Sequence, residues 1–119
     1  MARILLIEDD ELLREGLAHA LSSSGYTVVA AANGFDGMAL HRQEHPDLVL
    51  TDILMPQGGL LMIRVLRSQF PDLPIVAMSG NHARLELAGA LGAVRTLPKP
   101  FTFPELIAVL NEALPSPAG

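Results

Sequence analysis

Cysteine is absent from this chain of 119 residues, which excludes disulfide bonds, thiol chemistry and zinc sites built on cysteine. Long apolar runs are missing too, since none approaches the roughly 20 residues that a membrane-spanning helix needs. The N-terminal residues do not have the layout of a signal peptide. The eight basic residues are scattered and the formal net charge is −5, so clustered charge for nucleic-acid binding is lacking. We therefore expect a cytoplasmic protein without direct nucleic-acid or membrane contacts.

Half of the residues are hydrophobic, and the length suits a single domain with one buried core. Short apolar runs alternate with segments of helical spacing, which predicts five strands, each followed by a helix. The predicted strands cover residues 4–7, 26–30, 47–51, 75–78 and 93–97. Asn33 is expected to cap the second helix, and Gly92 to end a fourth helix over residues 82–91.

The alternation of strands and helices favours an α/β fold, in which both faces of a parallel sheet are covered by helices. Right-handed crossovers leave few topologies. We predict a flavodoxin-like, doubly wound (βα)5 fold with strand order 2-1-3-4-5. A Rossmann half is less well supported. The Gly-x-Gly-x-x-Gly motif of that fold does not follow the first strand, and acidic residues stand in its place.

Polar residues that can bind a metal or a phosphoryl group stand at the ends of four predicted strands. Glu8 and Asp9 follow the first strand, Asp52 the third, Ser79 the fourth and Lys99 the fifth. In an open parallel sheet, ligands bind at the carboxyl ends of the strands, near the point where the strand order reverses. Converging carboxylates suit Mg²⁺, and an aspartate can accept a phosphoryl group. A lysine and a hydroxyl can then stabilise the phosphoryl oxygens.

Each of these signals is weak when taken alone. Asp10 and Glu11 are expected to be a favourable helix start and not part of a site. Asp52 alone could be a helix N-cap or a turn residue, and Lys99 alone could be a surface lysine. The four histidines lack metal-ligand spacing, so surface positions are expected for His19, His41, His45 and His82. The combination at four strand ends is what carries the functional hypothesis.

Four segments of the sequence resemble the signatures of response-regulator receiver domains, the CheY-like superfamily of two-component signal transduction. They follow the family order and span nearly the whole chain, at residues 7–11, 46–56, 78–80 and 98–101. The resemblance implies a receiver domain over residues 1–114, with residues 115–119 as a C-terminal tail or the start of a linker.

The resemblance also implies a role for each matching residue. Asp52 is the expected phosphoacceptor, and Glu8 and Asp9 are the expected acidic pair that holds Mg²⁺ or Mn²⁺. The metal ligands are then Glu8, Asp9, Asp52 and the backbone carbonyl of Leu54. Ser79 and Lys99 contact the phosphoryl group, and the Lys99–Pro100 bond is expected to be cis.

The same resemblance implies partners. The phosphoryl donor is expected to be a phosphohistidine on a histidine kinase or a histidine phosphotransfer protein. The output protein, which the sequence does not name, is expected to contact the face formed by helix 4, strand 5 and helix 5. The domain is expected to catalyse its own phosphorylation and dephosphorylation and is not expected to be a metabolic enzyme.

Three features depart from the family pattern. Thr96 occupies a position that usually holds Tyr or Phe, so the aromatic switch is missing or altered. The loop at residues 55–59 is one residue shorter than usual, and the stretch from Ser79 to Lys99 is about two residues short. These departures affect how phosphorylation is transmitted more than they affect the acceptor pocket.

Three other functions remain as alternatives. A pseudo-receiver, which signals without phosphate, is favoured slightly by Thr96 and the short loops. An aspartate-nucleophile phosphatase would need a second Asp two residues after Asp52, but Leu54 stands there and cannot transfer protons. Flavin binding is disfavoured because acidic residues after the first strand would repel the cofactor phosphate.

Overall fold

The sheet consists of five parallel strands in the order β2-β1-β3-β4-β5, which confirms the predicted fold class. The computed structural model describes residues 2–55 and 59–115. The strands are β1 (Arg3–Ile7), β2 (Thr27–Ala31), β3 (Leu48–Asp52), β4 (Ile75–Ser79) and β5 (Arg95–Pro98). The helices are α1 (Glu11–Ser23), α2 (Gly34–Glu44), α3 (Gly59–Gln69), α4 (His82–Leu91) and α5 (Phe103–Ala113).

Two hydrophobic layers cover the sheet, one on each face. The three central strands are almost wholly buried, which explains why their sequences are continuous apolar runs instead of alternating patterns. Leu5, Val49 and Ile75 face one layer, whereas Leu6, Leu50 and Val76 face the other. Within the described part of the chain, no helix is both long and apolar enough to cross a bilayer.

Side-chain caps fix where several helices begin. Asp10 accepts a hydrogen bond from the backbone N–H of Leu13 at 3.1 Å, so this acidic residue caps α1 as expected. Asn33 caps α2 in the same way. Thr102 and Glu105 form a reciprocal capping box at the start of α5.

Strand β5 begins two residues later than the sequence predicts, at Arg95 instead of Ala93. Gly92 ends α4 with φ 130°, and the N–H of Ala93 bonds back to Ala88 O at 2.9 Å. Ala93 is therefore part of the turn that ends α4. Its apolar side chain packs against the core at this turn and not in a strand.

His41 is buried, so the prediction of a surface position is wrong for this histidine. Its ring lies 4.4 Å from the ring of Phe70, measured between centroids. The burial of His41 was difficult to predict, because the buried residues of α2 are Gly34, Gly37 and His41 and not a stripe of large apolar side chains. Burial, with smaller contributions from His45 and Arg42, lowers the pKa of His41 below its ordinary value of 6.5.

We expect this histidine to make stability fall at mildly acidic pH. The unfolded chain protonates His41 near pH 6.5, whereas the folded protein resists protonation down to a lower pH. The contribution is therefore fully present above pH 6.5 and is lost as pH falls through the depressed pKa. Urea unfolding of the wild type and of His41→Phe from pH 5 to pH 8 measures it as a difference between the two proteins. Parallel pH profiles would contradict the assignment.

Candidate functional site

The residues predicted from the strand ends meet at one edge of the sheet. β1 and β4 both pair with β3, so the carboxyl ends of these three parallel strands lie side by side. Asp52 is the last residue of β3 and Ser79 the last residue of β4, while Glu8 and Asp9 directly follow β1. The topology alone therefore brings distant segments of the sequence to the same place.

Three carboxylates form an acidic cluster at this edge. One oxygen from each of Glu8, Asp9 and Asp52 lies within 4.8 Å of the others. Glu8 and Asp52 are buried, whereas Asp9 is exposed. Among the described residues, none donates a hydrogen bond to the Asp9 carboxylate, which leaves this group available to a ligand from solvent.

Lys99 lies between the two buried carboxylates. Its Nζ is 2.7 Å from Glu8 Oε1 and 3.0 Å from Asp52 Oδ2. Its backbone N–H donates to Ser79 O at 2.9 Å, and the following Lys99–Pro100 peptide bond is cis, as predicted. The site thus holds one ammonium among three carboxylates, and full ionisation would leave a net charge of −2.

Burial and charge shift the acid–base properties of this pair. Desolvation raises the pKa of Glu8 to about 7, although hydrogen bonds from Lys99 and from the Asp10 backbone lower it in part. Desolvation alone would lower the pKa of Lys99, but the hydrogen bonds and charges of Glu8 and Asp52 outweigh it, so this pKa is raised. Lys99 therefore remains a fixed positive charge at neutral pH.

Backbone N–H groups orient the side chains of Asp52 and Ser79. Asp52 Oδ1 accepts a hydrogen bond from the N–H of Leu54 at 2.9 Å. The buried Ser79 accepts one from the N–H of Asn81 at 3.0 Å, through its Oγ. Its hydroxyl donates no hydrogen bond to any described residue, so the proton can be donated to a bound group. That the carbonyl of Leu54 binds a metal stays a prediction.

Arg14 supports the acidic loop and was not identified from the sequence. Its Nη1 donates to the backbone oxygen of Glu8 at 2.9 Å, from the second turn of α1. The only available signal was a basic residue six positions after Glu8, which is too common to be informative. Its guanidinium adds positive charge beside the cluster and fixes the backbone that carries Glu8 and Asp9.

An apolar cavity of about 520 Å³ lies beside the acidic cluster. It is lined by residues of α1 and of the segment that joins β5 to α5: Leu13, Leu17, Lys99, Pro100, Phe101 and Phe103. A lining of this kind does not suit a cation or a phosphate. The acidic cluster and not this cavity is the candidate site for metal and phosphoryl chemistry.

The carboxylate cluster has the composition that Mg²⁺ requires. This ion prefers oxygen ligands and usually binds one or two protein carboxylates together with water and phosphate oxygens. Asp9 offers an open carboxylate at the surface, and Asp52 lies within reach of the same position. The residues therefore fit a divalent cation of this type.

Comparison with known proteins identifies the family. The model of the response regulator receiver domain matches residues 4–111, so the chain belongs to this family of two-component signalling domains. Response regulator MprA of Mycobacterium ulcerans is 38% identical over 115 residues, which cover 94% of this chain and 50% of that protein. The chain thus spans about half the length of the curated relatives it matches.

Solved structures agree with this assignment. The chemotaxis protein CheY4 of Vibrio cholerae has a TM-score of 0.88 at 28% identity, with 96% of this chain and 99% of that chain covered. The response regulator TrrA of Thermotoga maritima, solved in complex with Mg²⁺-BeF, has a TM-score of 0.87 at 31% identity. The aligned part covers 96% of this chain and all of TrrA. The resemblance inferred from four short motifs is therefore confirmed over nearly the whole chain.

Proposed function

We propose that Asp52 accepts a phosphoryl group from a phosphohistidine on a histidine kinase or a histidine phosphotransfer protein. The observation that carries this proposal is the position of Lys99 Nζ, which contacts Asp52 at 3.0 Å while Asp9 remains open beside it. In this reaction an Asp52 oxygen forms a bond to phosphorus. The P–N bond of the phosphohistidine breaks, and the imidazole leaves with the electron pair.

Mg²⁺ or Mn²⁺, held by Glu8, Asp9, Asp52 and the Leu54 carbonyl, would neutralise the phosphoryl oxygens during this transfer. Asp9 would bind the ion directly, and Glu8 would do so through water. The related response regulator TrrA was solved in complex with Mg²⁺-BeF, which supports Mg²⁺ as the ion.

The chain's own groups position the reaction. Lys99 would move part of its interaction from Glu8 to the new phosphoryl oxygens, and the Ser79 hydroxyl would donate a hydrogen bond to them. The Leu54 N–H holds the Asp52 carboxylate in a single orientation. These fixed donors stabilise charge that develops during transfer without having to reorganise.

The signal would leave the domain through protein contacts. We assign residues 1–114 to the receiver and propose the α4–β5–α5 face as the output surface. Leu87 and Val94 are exposed on it, and Arg95 pairs with Glu112 at 3.3 Å. Thr96 provides no aromatic ring for this face. Residues 116–119 and the short loop at 56–58 lie outside the described residues. Cytoplasmic location and the absence of nucleic-acid contacts by this domain stay predictions.

Intact-mass spectrometry tests the proposal. Incubation with acetyl phosphate and Mg²⁺ is expected to add the mass of one labile phosphoryl group, because a small acyl phosphate can replace the protein donor. Omission of Mg²⁺ should strongly reduce the modification, and Asp52→Asn should abolish it. An unchanged mass for the wild type, indistinguishable from Asp52→Asn, would favour a pseudo-receiver that signals without phosphate.

A further inference from the structure

Arg67, in the last turn of α3, uses all of its N–H donors on backbone carbonyl oxygens. Its Nε and Nη2 donate to Gly92 O at 3.1 and 2.7 Å. Its Nη1 donates to the oxygens of Phe70 and Pro71 at 3.0 and 2.7 Å, and Nη2 also reaches Leu73 O at 2.7 Å. A guanidinium has five N–H donors. All five are therefore paired, and they join the α3–β4 loop to the end of α4.

The C-terminal end of α4 is built around this guanidinium. Gly92 has φ 130°, and a Cβ at this position would lie 2.7 Å from Arg67 Cγ. The N–H groups of Gly92 and Ala93 both return to Ala88 O, at 3.1 and 2.9 Å. The next N–H, of Val94, bonds to Ile75 O in β4 at 2.8 Å. This end of the helix is consequently tied to α3 and to the sheet.

The N-terminal end of α4 has no comparable attachments to residues 2–55 or 59–115. Residues 81–84 are exposed, and the first buried side chain of the helix is Leu85. Asn81 uses its side chain to cap its own helix, by accepting from Arg84 N at 3.0 Å. Its backbone N–H bonds to Ser79 Oγ, which lies in the candidate site. The N-terminal turn is thus exposed but directly connected to the acceptor pocket.

We propose that the Arg67 guanidinium is a fixed pivot for α4, about which the N-terminal turn of this helix moves relative to the sheet. The helix has 10 residues. Such a helix is about 15 Å long, so its first turn can open at the hydrogen bond from Leu85 N to Asn81 O while the far end stays fixed at Gly92. Displacement would be largest beside Ser79 and smallest at Gly92. Regulation of this motion by phosphorylation rests on the proposed function, whereas the pivot itself does not.

Amide hydrogen exchange of the unphosphorylated protein, measured by NMR, tests the pivot. The N–H of Leu85 and the N–H of Gly92 make helical hydrogen bonds of the same length, 3.1 Å, so a difference in exchange reports opening of the two ends. In the wild type, Gly92 and Ala93 should exchange at least about tenfold more slowly than Leu85. Equal exchange at both ends, or slower exchange at Leu85, would overturn the proposal.

Substitution of Arg67 tests whether this residue causes the slow exchange expected at Gly92 and Ala93. In Arg67→Gln, exchange at Gly92 and Ala93 should accelerate about tenfold or more, as the loss of hydrogen bonds to a charged group implies. Leu85 and the strand amides should change much less. The matched control is Arg64→Gln, which removes the same charge from an exposed position of the same helix. Uniform acceleration throughout the sheet, or no difference between the two variants, would show that Arg67 is not a pivot.

A conservative variant covers the case in which Arg67→Gln does not fold. Arg67→Lys keeps the charge but has three donors for four carbonyl oxygens. It should loosen Gly92 and Ala93 to an intermediate extent. Treatment with acetyl phosphate and Mg²⁺ should then shift the amide resonances of residues 82–85 more than those of 92–93. Absence of phosphorylation would reject the proposed function, whereas the exchange data alone decide whether the pivot exists.

Discussion

Replacement of Asp9 by alanine is expected to weaken Mg²⁺ binding by at least about 100-fold, because substitutions of residues that only support metal ligands already cost about 10–100-fold. Asp9 is the exposed member of the carboxylate cluster. Lys99 contacts the other two members, Glu8 and Asp52, and so competes with a metal for their oxygens. The open carboxylate should therefore provide most of the affinity.

The neighbouring Asp10 provides a matched control. Its side chain caps α1, and its backbone N–H donates to Glu8 Oε2 at 3.1 Å. Asp10→Ala should cost about 1 kcal/mol of stability through the lost cap while leaving Mg²⁺ affinity nearly unchanged. Asp9→Ala should have the opposite profile, because removing one of three clustered charges relieves repulsion in metal-free buffer.

Titration calorimetry and thermal unfolding with and without Mg²⁺ measure both quantities. Mg²⁺ is expected to raise the melting temperature of the wild type, since the ion should bind only the assembled cluster. This increase should disappear in Asp9→Ala and persist in Asp10→Ala. Equal Mg²⁺ affinity in the wild type and Asp9→Ala would show that the metal ligand has been placed wrongly.

The strand-end residues of the site could be predicted because the order of the strands in the sheet alone brings them close together. In a parallel sheet of order 2-1-3-4-5, the residues that follow β1 and β3 must be neighbours, whatever the details of packing. The convergence of Glu8, Asp9 and Asp52 needs no further information. Lys99 is less constrained by topology, since it follows an edge strand, and the family resemblance added support to an assignment first made from the strand ends.

Features that depend on loop carbonyls or on irregular packing could not be predicted. Arg67 looks like a solvent-exposed residue of α3, and nothing in its sequence neighbourhood indicates four carbonyl partners in two loops. The burial of His41 could not be predicted either. Helix α2 packs through glycines, which leave space for an imidazole at the interface. Gly37 shows how close this packing is, since a Cβ there would clash with Ile7 Cδ1.

The largest difference between this chain and the family pattern concerns the transmission of the signal. Thr96 lies in β5, paired with Ala77 of β4, and has no aromatic ring. The hydrogen bond from Asn81 N to Ser79 Oγ offers a direct connection from the acceptor pocket to α4. This hydrogen bond is a route by which we expect the site to be coupled to the proposed output face without the aromatic residue.

Removal of the Lys99 ammonium is expected to produce the largest stability effect of any single change at the site. Lys99→Met keeps most of the apolar stem but leaves Glu8 and Asp52 without a counterion. Removing one partner of a buried pair costs about 3–5 kcal/mol, and we expect about 2–3 kcal/mol here because Lys99 is partly exposed. Its side chain is 24% exposed, whereas those of Glu8 and Asp52 are 1% and 7% exposed.

A surface ion pair is the appropriate comparison. Arg95 and Glu112 are 3.3 Å apart, but their side chains are 49% and 61% exposed. Arg95→Met should therefore change the free energy of unfolding by less than about 1 kcal/mol. Urea unfolding in EDTA measures both variants under the same conditions. An equal loss in the free energy of unfolding for the two substitutions would mean that burial does not strengthen the ion pairs of Lys99.

Two further measurements separate charge from packing in Lys99→Met. Above the raised pKa of Glu8, where this carboxylate is ionised, the double variant Glu8→Gln/Lys99→Met should regain most of the lost stability, because one of the two uncompensated charges has gone. Mg²⁺ should stabilise Lys99→Met more than it stabilises the wild type, since a divalent cation can replace the missing ammonium between the carboxylates. Metal binding therefore survives in this variant, but its structural response to phosphorylation should weaken. If Mg²⁺ stabilised Lys99→Met less than the wild type, the lysine would be part of the metal site and not its competitor.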